Sequence, residues 1–159
     1  MSHFEEEISR AVVLALFVPL IISSGGNSGS QASTLVIRAM ALGEVRLKDW
    51  WQVVYRELGI GFGLGCILAV IGLLRILVWQ SVFHTYGPHY IQVALSVSFS
   101  LVGVVLWGSM AGSLLPLILR KLGFDPASAS APFVATLVDV SGIVIYFTIS
   151  ALILHGTLL

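Results

Sequence analysis

Four stretches of this chain are apolar for about the 20 residues that a helix rising 1.5 Å per residue needs to cross roughly 30 Å of hydrocarbon. They run approximately over Ile8–Leu42, Leu58–Val78, Tyr90–Leu119 and Ala131–Leu154. A bilayer core offers backbone N–H and C=O groups no water, so such segments cross it as helices whose hydrogen bonds are internal. With 57% hydrophobic and 10% charged residues and a mean hydropathy of +1.00, nothing is left over for a soluble domain. Residues 1–159 read as one all-α, polytopic domain of a cell membrane, plasma or inner, surrounded by lipid.

The few charges inform by position. Eight basic and eight acidic residues cancel, so there is no electrostatic ground for a nucleic-acid partner. Arg46, Lys48 and Arg56 follow the first segment and Arg120 and Lys121 follow the third, whereas the connection from Gln80 to His89 has no Lys or Arg. The excess of basic residues marks the first and third connections as cytoplasmic, with both termini outside. An outside N-terminus with neither a preceding span nor a signal peptide in "MSHFEEEISR" gives the chain the look of the back portion of a longer one. Cys66 is the sole cysteine, which leaves no internal disulfide and no thiolate cluster. Trp50, Trp51, Tyr55, Trp79, Tyr86 and Tyr90 flank segment ends, where aromatic belts sit. "FDPAS" reads as an Asp N-cap and a Pro introducing the last helix.

The first segment is overlong, about 50 Å if wholly helical, and "SSGGNSGSQAS" from Ser23 to Ser33 interrupts its apolar character. It therefore reads as a broken or overlong helix. An amide such as Asn27 or Gln31 at membrane depth needs protein or a wet cavity beside it. Elsewhere small residues recur at i,i+4: Gly59/Gly63, Gly61/Gly65, Ser96/Ser100, Gly108/Gly112 and Ser109/Ser113. This spacing lets helix backbones approach closely. The glycines miss a dinucleotide fingerprint, "GGNSGS" misses a nucleophile elbow, and His84 and His89 lack a third ligand. With no nucleophile and base pair, an enzyme is the reading least supported.

Asp139 is the only residue of the last segment that ionises near neutral pH, about 10 Å from its inner end by helical rise. A carboxylate there costs roughly 2.5–3.5 kcal/mol on insertion scales, which marks it as a functional candidate. Ala135, Thr136, Asp139 and Gly142 share one helix face. The economical arrangement sets that face and the polar stretch against one aqueous path. Asn27, Gln31, Ser33 and Thr34 would offer neutral oxygens, Gly25, Gly26 and Gly29 close backbone, and Asp139 the charge. Oxygen donors with one carboxylate suit a hard divalent cation such as Mg²⁺ that keeps much of its water.

"PLIISSGGNSGSQASTLVIRAMALGEV" and "DPASASAPFVATLVDVSGIVIYF" resemble the transmembrane domain of the MgtE magnesium channels. The resemblance begins at Phe4 and covers nearly the whole chain, and its specific marks are the G-N-x-G-x-Q and A-T-x-x-D elements. It implies a homodimer of five-span subunits with a magnesium pore on the two-fold axis. Asp139 would be the acid at the ion, with the Ala135 carbonyl nearby and Asn27 toward the cytoplasm. Against that pattern the family's first span and its cytoplasmic sensor domains are missing, so the chain would not carry their gate. Two alternatives use the same residues: an exchanger in which Asp139 couples H⁺ or Na⁺ to the metal, and a non-transporting subunit whose small-residue faces pack against partner helices.

Overall fold

The structure, a computed structural model, describes residues 12–84, 86 and 89–154. Four helices carry it: α1 (Val18–Ala41), α2 (Trp50–Phe83), α3 (Tyr90–Lys121) and α4 (Ala131–Leu154). No strand occurs among the described residues. All four are long and apolar enough to cross a membrane, α1 together with the helical turn from Val12 that precedes it. The chain is a multi-pass helical membrane protein. The expected start of the first segment at Ile8 lies outside the described residues.

The polar stretch does not break its helix. Ser23 to Ser33 are continuous α-helix, and the interruption falls earlier, at residues 16–17. There the Phe17 N–H turns to the Leu14 carbonyl at 3.1 Å, and Pro19, which has no N–H to give, sits in the first turn of α1. The second segment also begins earlier than its hydropathy indicates, so Arg56 is a helical residue of α2 and not part of a connection.

Glycine ends two of the helices. Gly43 after α1 and Gly123 after α3 have φ of 74° and 84°, a left-handed conformation that costs glycine little. In each case the next N–H reaches back into the last turn: Glu44 to the Ala39 carbonyl and Phe124 to the Leu119 carbonyl, both at 2.9 Å. This double closure satisfies carbonyls that a helix end otherwise leaves bare. Asp125 does accept the Ala127 N–H at 2.9 Å, but it caps only the short 3₁₀ turn Pro126–Ser128. That turn and the Ala129–Ser130 link stand between it and α4.

The helix α3 is the hub. It packs against α1, α2 and α4, and α1 packs in addition against α4. Lipid tails are as apolar as leucine, so helices in a bilayer are held by close packing and interhelical hydrogen bonds rather than by burial from water. The small residues serve that packing. Gly108 and Gly112 of α3 face the backbone of Gly25 and Gly29 of α1, whose carbonyl oxygens occupy the space a Cβ would need. On the other side of α3, a Cβ at Gly65 of α2 would come within 2.9 Å of the Val102 Cα, and one at Gly61 within 3.2 Å of Ser109. Only one of the two anticipated glycine pairs of α2 is so used: Gly59 and Gly63 have nothing within 4 Å and stand, with Phe62, Ile67, Val70 and Leu74, on an exposed apolar surface suited to lipid.

Polar side chains complete the assembly. Ser33, fully buried, donates to the Ala129 carbonyl at 2.7 Å, and Ser30 donates to the Ala131 carbonyl at 2.9 Å. The start of α4 is thereby tied to the middle of α1. At the opposite end the buried Tyr146 hydroxyl donates to the Leu14 carbonyl at 2.8 Å, while Arg75 stacks over Phe17, 5.7 Å from the ring centre.

Two outcomes test this arrangement. Gly112→Ala, whose new methyl must push α1 and α3 apart, should destabilise the protein by about 1–3 kcal/mol, read as a lowered Tm in detergent, while Gly63→Ala leaves the Tm unchanged. In a Cys66→Ser background, an impermeant thiol reagent applied from outside should label a cysteine at position 84 and not one at position 48; the reverse pattern would invert the orientation.

Candidate functional site

The face of α1 that leaves the bundle is polar. Ser23, Asn27, Gln31, Thr34 and Arg38 recur at spacings of three and four residues, and each is exposed. Residues so spaced stack along one side of a helix. The Asn27 amide donates to the Ser23 hydroxyl at 3.3 Å and Thr34 to the Ser30 carbonyl at 2.8 Å, so three members of the row meet each other or their own helix. The adjoining face, with Gly25, Gly26, Gly29 and Ser33, is buried.

Asp139 of α4 lies at the border between these two faces and is half-buried. Its carboxylate rests on Gly26: a Cβ at that glycine would be 2.5 Å from Oδ1 and 3.7 Å from the Ala135 methyl. The absent side chain of Gly26 is thus the space that holds the acid. Among the described residues no charged side chain acts on Asp139. Asn27 follows Gly26 in sequence, and Thr136, three residues before Asp139, is exposed with its hydroxyl donating to the Pro132 carbonyl at 3.0 Å. The result is one uncompensated carboxyl group at the edge of a row of neutral oxygens and amides.

The structure therefore brings Gly26, Ala135 and Asp139 together and leaves Asn27, Gln31, Thr34 and Thr136 exposed, with Asn27 next to Gly26 in the chain and Gln31 and Thr34 farther along α1. It does not place Gly25, Gly29 or Gly142 on that open side. Gly25 faces Val104 and Val138, Gly29 faces Val134, Val138 and the Gly108 carbonyl, and Gly142 faces Val104. Their smallness lets three helices meet, because a methyl at any of them would run into a neighbouring helix. Ser33 likewise offers no oxygen to the open side, since its hydroxyl is committed to Ala129.

His84 and His89, set aside as ligands, stay apart from this face. His84 is the exposed left-handed cap of α2, and the His89 ring hydrogen-bonds Gln92 at 3.1 Å. Among the described residues no three His, Cys, Asp or Glu side chains converge as metal ligands would. One feature went unread in the sequence. Glu57 is buried on α2 and, with Glu44, Arg38 and Arg56, lines a crevice at the end of the polar row. Its signal was an acid directly before Leu58, at the edge of a stretch that hydropathy assigns to a connection.

Comparison with known proteins identifies the family. A family model described as MgtE, divalent cation transporter, matches residues 18–149. The chain is 38% identical over 156 residues to the magnesium transporter MgtE of Thermus thermophilus, covering 98% of this chain and 33% of that protein. The proteins of the same name from Bacillus subtilis and Enterococcus faecalis are 31% and 29% identical, again across 98% of this chain. The chain spans about a third of the length of these relatives. The matched residues contain α1, α2 and α3 whole and most of α4, with Gly26, Ala135 and Asp139 among them, and the chain belongs to the MgtE family of divalent cation transporters.

Proposed function

We propose that this domain conducts Mg²⁺ across the membrane between two copies of the chain, and that Asp139 attracts the hydrated ion. The observation that carries the reading is the Asp139 carboxylate seated on Gly26 beside the exposed row Ser23, Asn27, Gln31 and Thr34. Facing lipid, these groups would each cost several kcal/mol unsatisfied. A second copy related by a two-fold axis, the commonest closed symmetry, would turn two such faces inward and enclose a wet path between them. That the relatives are named magnesium transporters supports the choice of ion.

The residues present suit Mg²⁺ as cargo. This ion demands octahedral oxygen coordination and sheds water reluctantly, so it is bound through one or two carboxylates with waters filling the remaining positions. Paired Asp139 carboxylates would supply the charge, and the Ala135 carbonyl one turn away a further oxygen. Asn27, Gln31 and Thr34 would hydrogen-bond the water shell as it passes. At equal distance a divalent ion gains twice the Coulomb energy of a monovalent one, which favours Mg²⁺ over Na⁺ and K⁺. Discrimination against Ca²⁺ would rest on the size of the enclosed space.

The test is metal flux in proteoliposomes that contain a pH dye and start with a metal gradient alone. Wild-type protein should pass Mg²⁺ with no stoichiometric movement of protons. Asp139→Asn, which keeps the shape and removes the charge, should lower flux by at least about tenfold, and Asp139→Glu by less. The same Asn variant should lose the Mg²⁺-dependent rise in Tm, which at about a hundredfold excess over Kd corresponds to roughly 2.7 kcal/mol. Coupled proton exit that disappears with Asp139 would instead establish an exchanger. A normal flux in the Asn variant would assign the face to packing.

Gly26→Ala separates site from scaffold. Its methyl meets the Asp139 oxygen rather than a helix backbone, so flux should fall severalfold with a Tm close to wild type, in contrast to Gly112→Ala. Cysteines placed at position 31 should crosslink between two copies under mild oxidation; a monodisperse, uncrosslinked monomer in mild detergent would contradict the two-fold arrangement.

A further inference from the structure

The start of α2 and the end of α3 leave an open groove of ≈ 610 Å³ between them, lined by none of the residues around Asp139. Leu47, Trp50, Leu114, Leu117 and Ile118 line it together with Lys48 and Lys121, and its surface is almost wholly apolar. Its position in the fold is specific. Lys121 is the last residue of α3, and Lys48 lies in the 3₁₀ turn that leads into Trp50, the first residue of α2. Helix ends carrying Lys and Trp sit at the level of lipid headgroups, and the excess of basic residues puts this end on the cytoplasmic side, the leaflet with negative surface potential.

The groove has charge without counter-charge. No acidic residue lines it, and the acids nearest in sequence are engaged elsewhere. The Asp49 carboxylate accepts the Arg46 N–H at 3.0 Å, and Asp125 lines a different crevice with Arg120. A lysine stem can lie along an apolar wall with its ammonium in the polar layer. Two such lysines above leucine and isoleucine therefore demand an occupant that is anionic at one end and aliphatic at the other. Inorganic phosphate has no use for the apolar wall, and a neutral lipid has none for the lysines.

We propose that this groove binds one anionic phospholipid of the cytoplasmic leaflet, with its phosphate between Lys48 and Lys121 and an acyl chain along Leu117 and Ile118 against Trp50. Because Lys48 belongs to the connection between α1 and α2 and Lys121 to α3, the bound lipid clasps that connection to the hub helix.

The experiment uses protein in which Trp51, Trp79 and Trp107 are replaced by Phe, so that Trp50 alone fluoresces, reconstituted with brominated phosphatidylglycerol or brominated phosphatidylcholine. Phosphatidylglycerol should occupy the quenching site roughly thirtyfold more strongly, the factor two interfacial lysines supply together. Lys48→Gln with Lys121→Gln should abolish that preference, whereas Arg120→Gln, a basic residue at the same level outside the groove, should leave it. Should the Phe replacements unfold the protein, native mass spectrometry of otherwise wild-type protein from mixed micelles gives the same comparison as bound phosphatidylglycerol lost in the double Gln variant alone. Equal quenching by the two lipids, an unchanged preference in the double variant, or an equal loss in Arg120→Gln overturns the proposal. So does a Trp50 that neither lipid quenches, which would mean that protein fills the groove.

Discussion

The contact on which the rest of this structure depends is the crossing of α1 and α3, where Gly25 and Gly29 meet Gly108 and Gly112 with no side chain between the backbones. Dispersion falls steeply with distance, so in a solvent as apolar as the side chains themselves this closeness is a large share of what holds the helices together. It also fixes the rotation of α1 about its axis. With the glycines turned toward α3, the row from Ser23 to Arg38 has to face outward, and Gly26 has to face α4.

From that rotation the site follows. A helix that buried its amides would seal the bundle and leave no route; a helix that exposed its glycines would lose its hold on α3. The two faces of α1 are therefore complementary uses of one polar-looking stretch, scaffold on one side and, in the function proposed above, solvation of an ion on the other. Ser30 and Ser33 stand near the boundary and use their hydroxyls to hold the start of α4, which sets how far along α4 the carboxyl group of Asp139 arrives opposite Gly26. The hydrogen bond from Tyr146 to Leu14 fastens the other end of α4, so the position of Asp139 is constrained from both directions. The groove proposed for a phospholipid lies between the start of α2 and the end of α3, beyond the crossing that Gly61 and Gly65 make with α3.

Much of this was legible residue by residue, and some was not. Four spans, their order, the isolated acid of the last span and the polarity of the first were readable because each is a property of one segment in one solvent: hydropathy, length and the cost of an intramembrane charge act locally. The last helix runs from Ala131 to Leu154 as its composition indicates. The first segment was read as a broken or overlong helix, and its polar stretch leaves the helix whole, although glycine and serine weaken a helix in water through backbone entropy and competing hydrogen bonds. In a bilayer the helix is the only way to satisfy those backbone groups. What interrupts the segment is the turn before Pro19, a covalent limit that no solvent removes.

The sequence by itself determined that the chain spans a membrane as helices and that Asp139 is a costly residue in want of a purpose. Only the tertiary structure decided which small residues are scaffold and which are site. Gly25, Gly26 and Gly29 are chemically identical and lie within five positions, yet Gly25 and Gly29 go to the helix crossing and Gly26 to the carboxylate. The physical reason is that a glycine carries no chemistry of its own. Its role is the space it leaves, and what enters that space is a neighbour distant in sequence, set by how the helices are turned against one another.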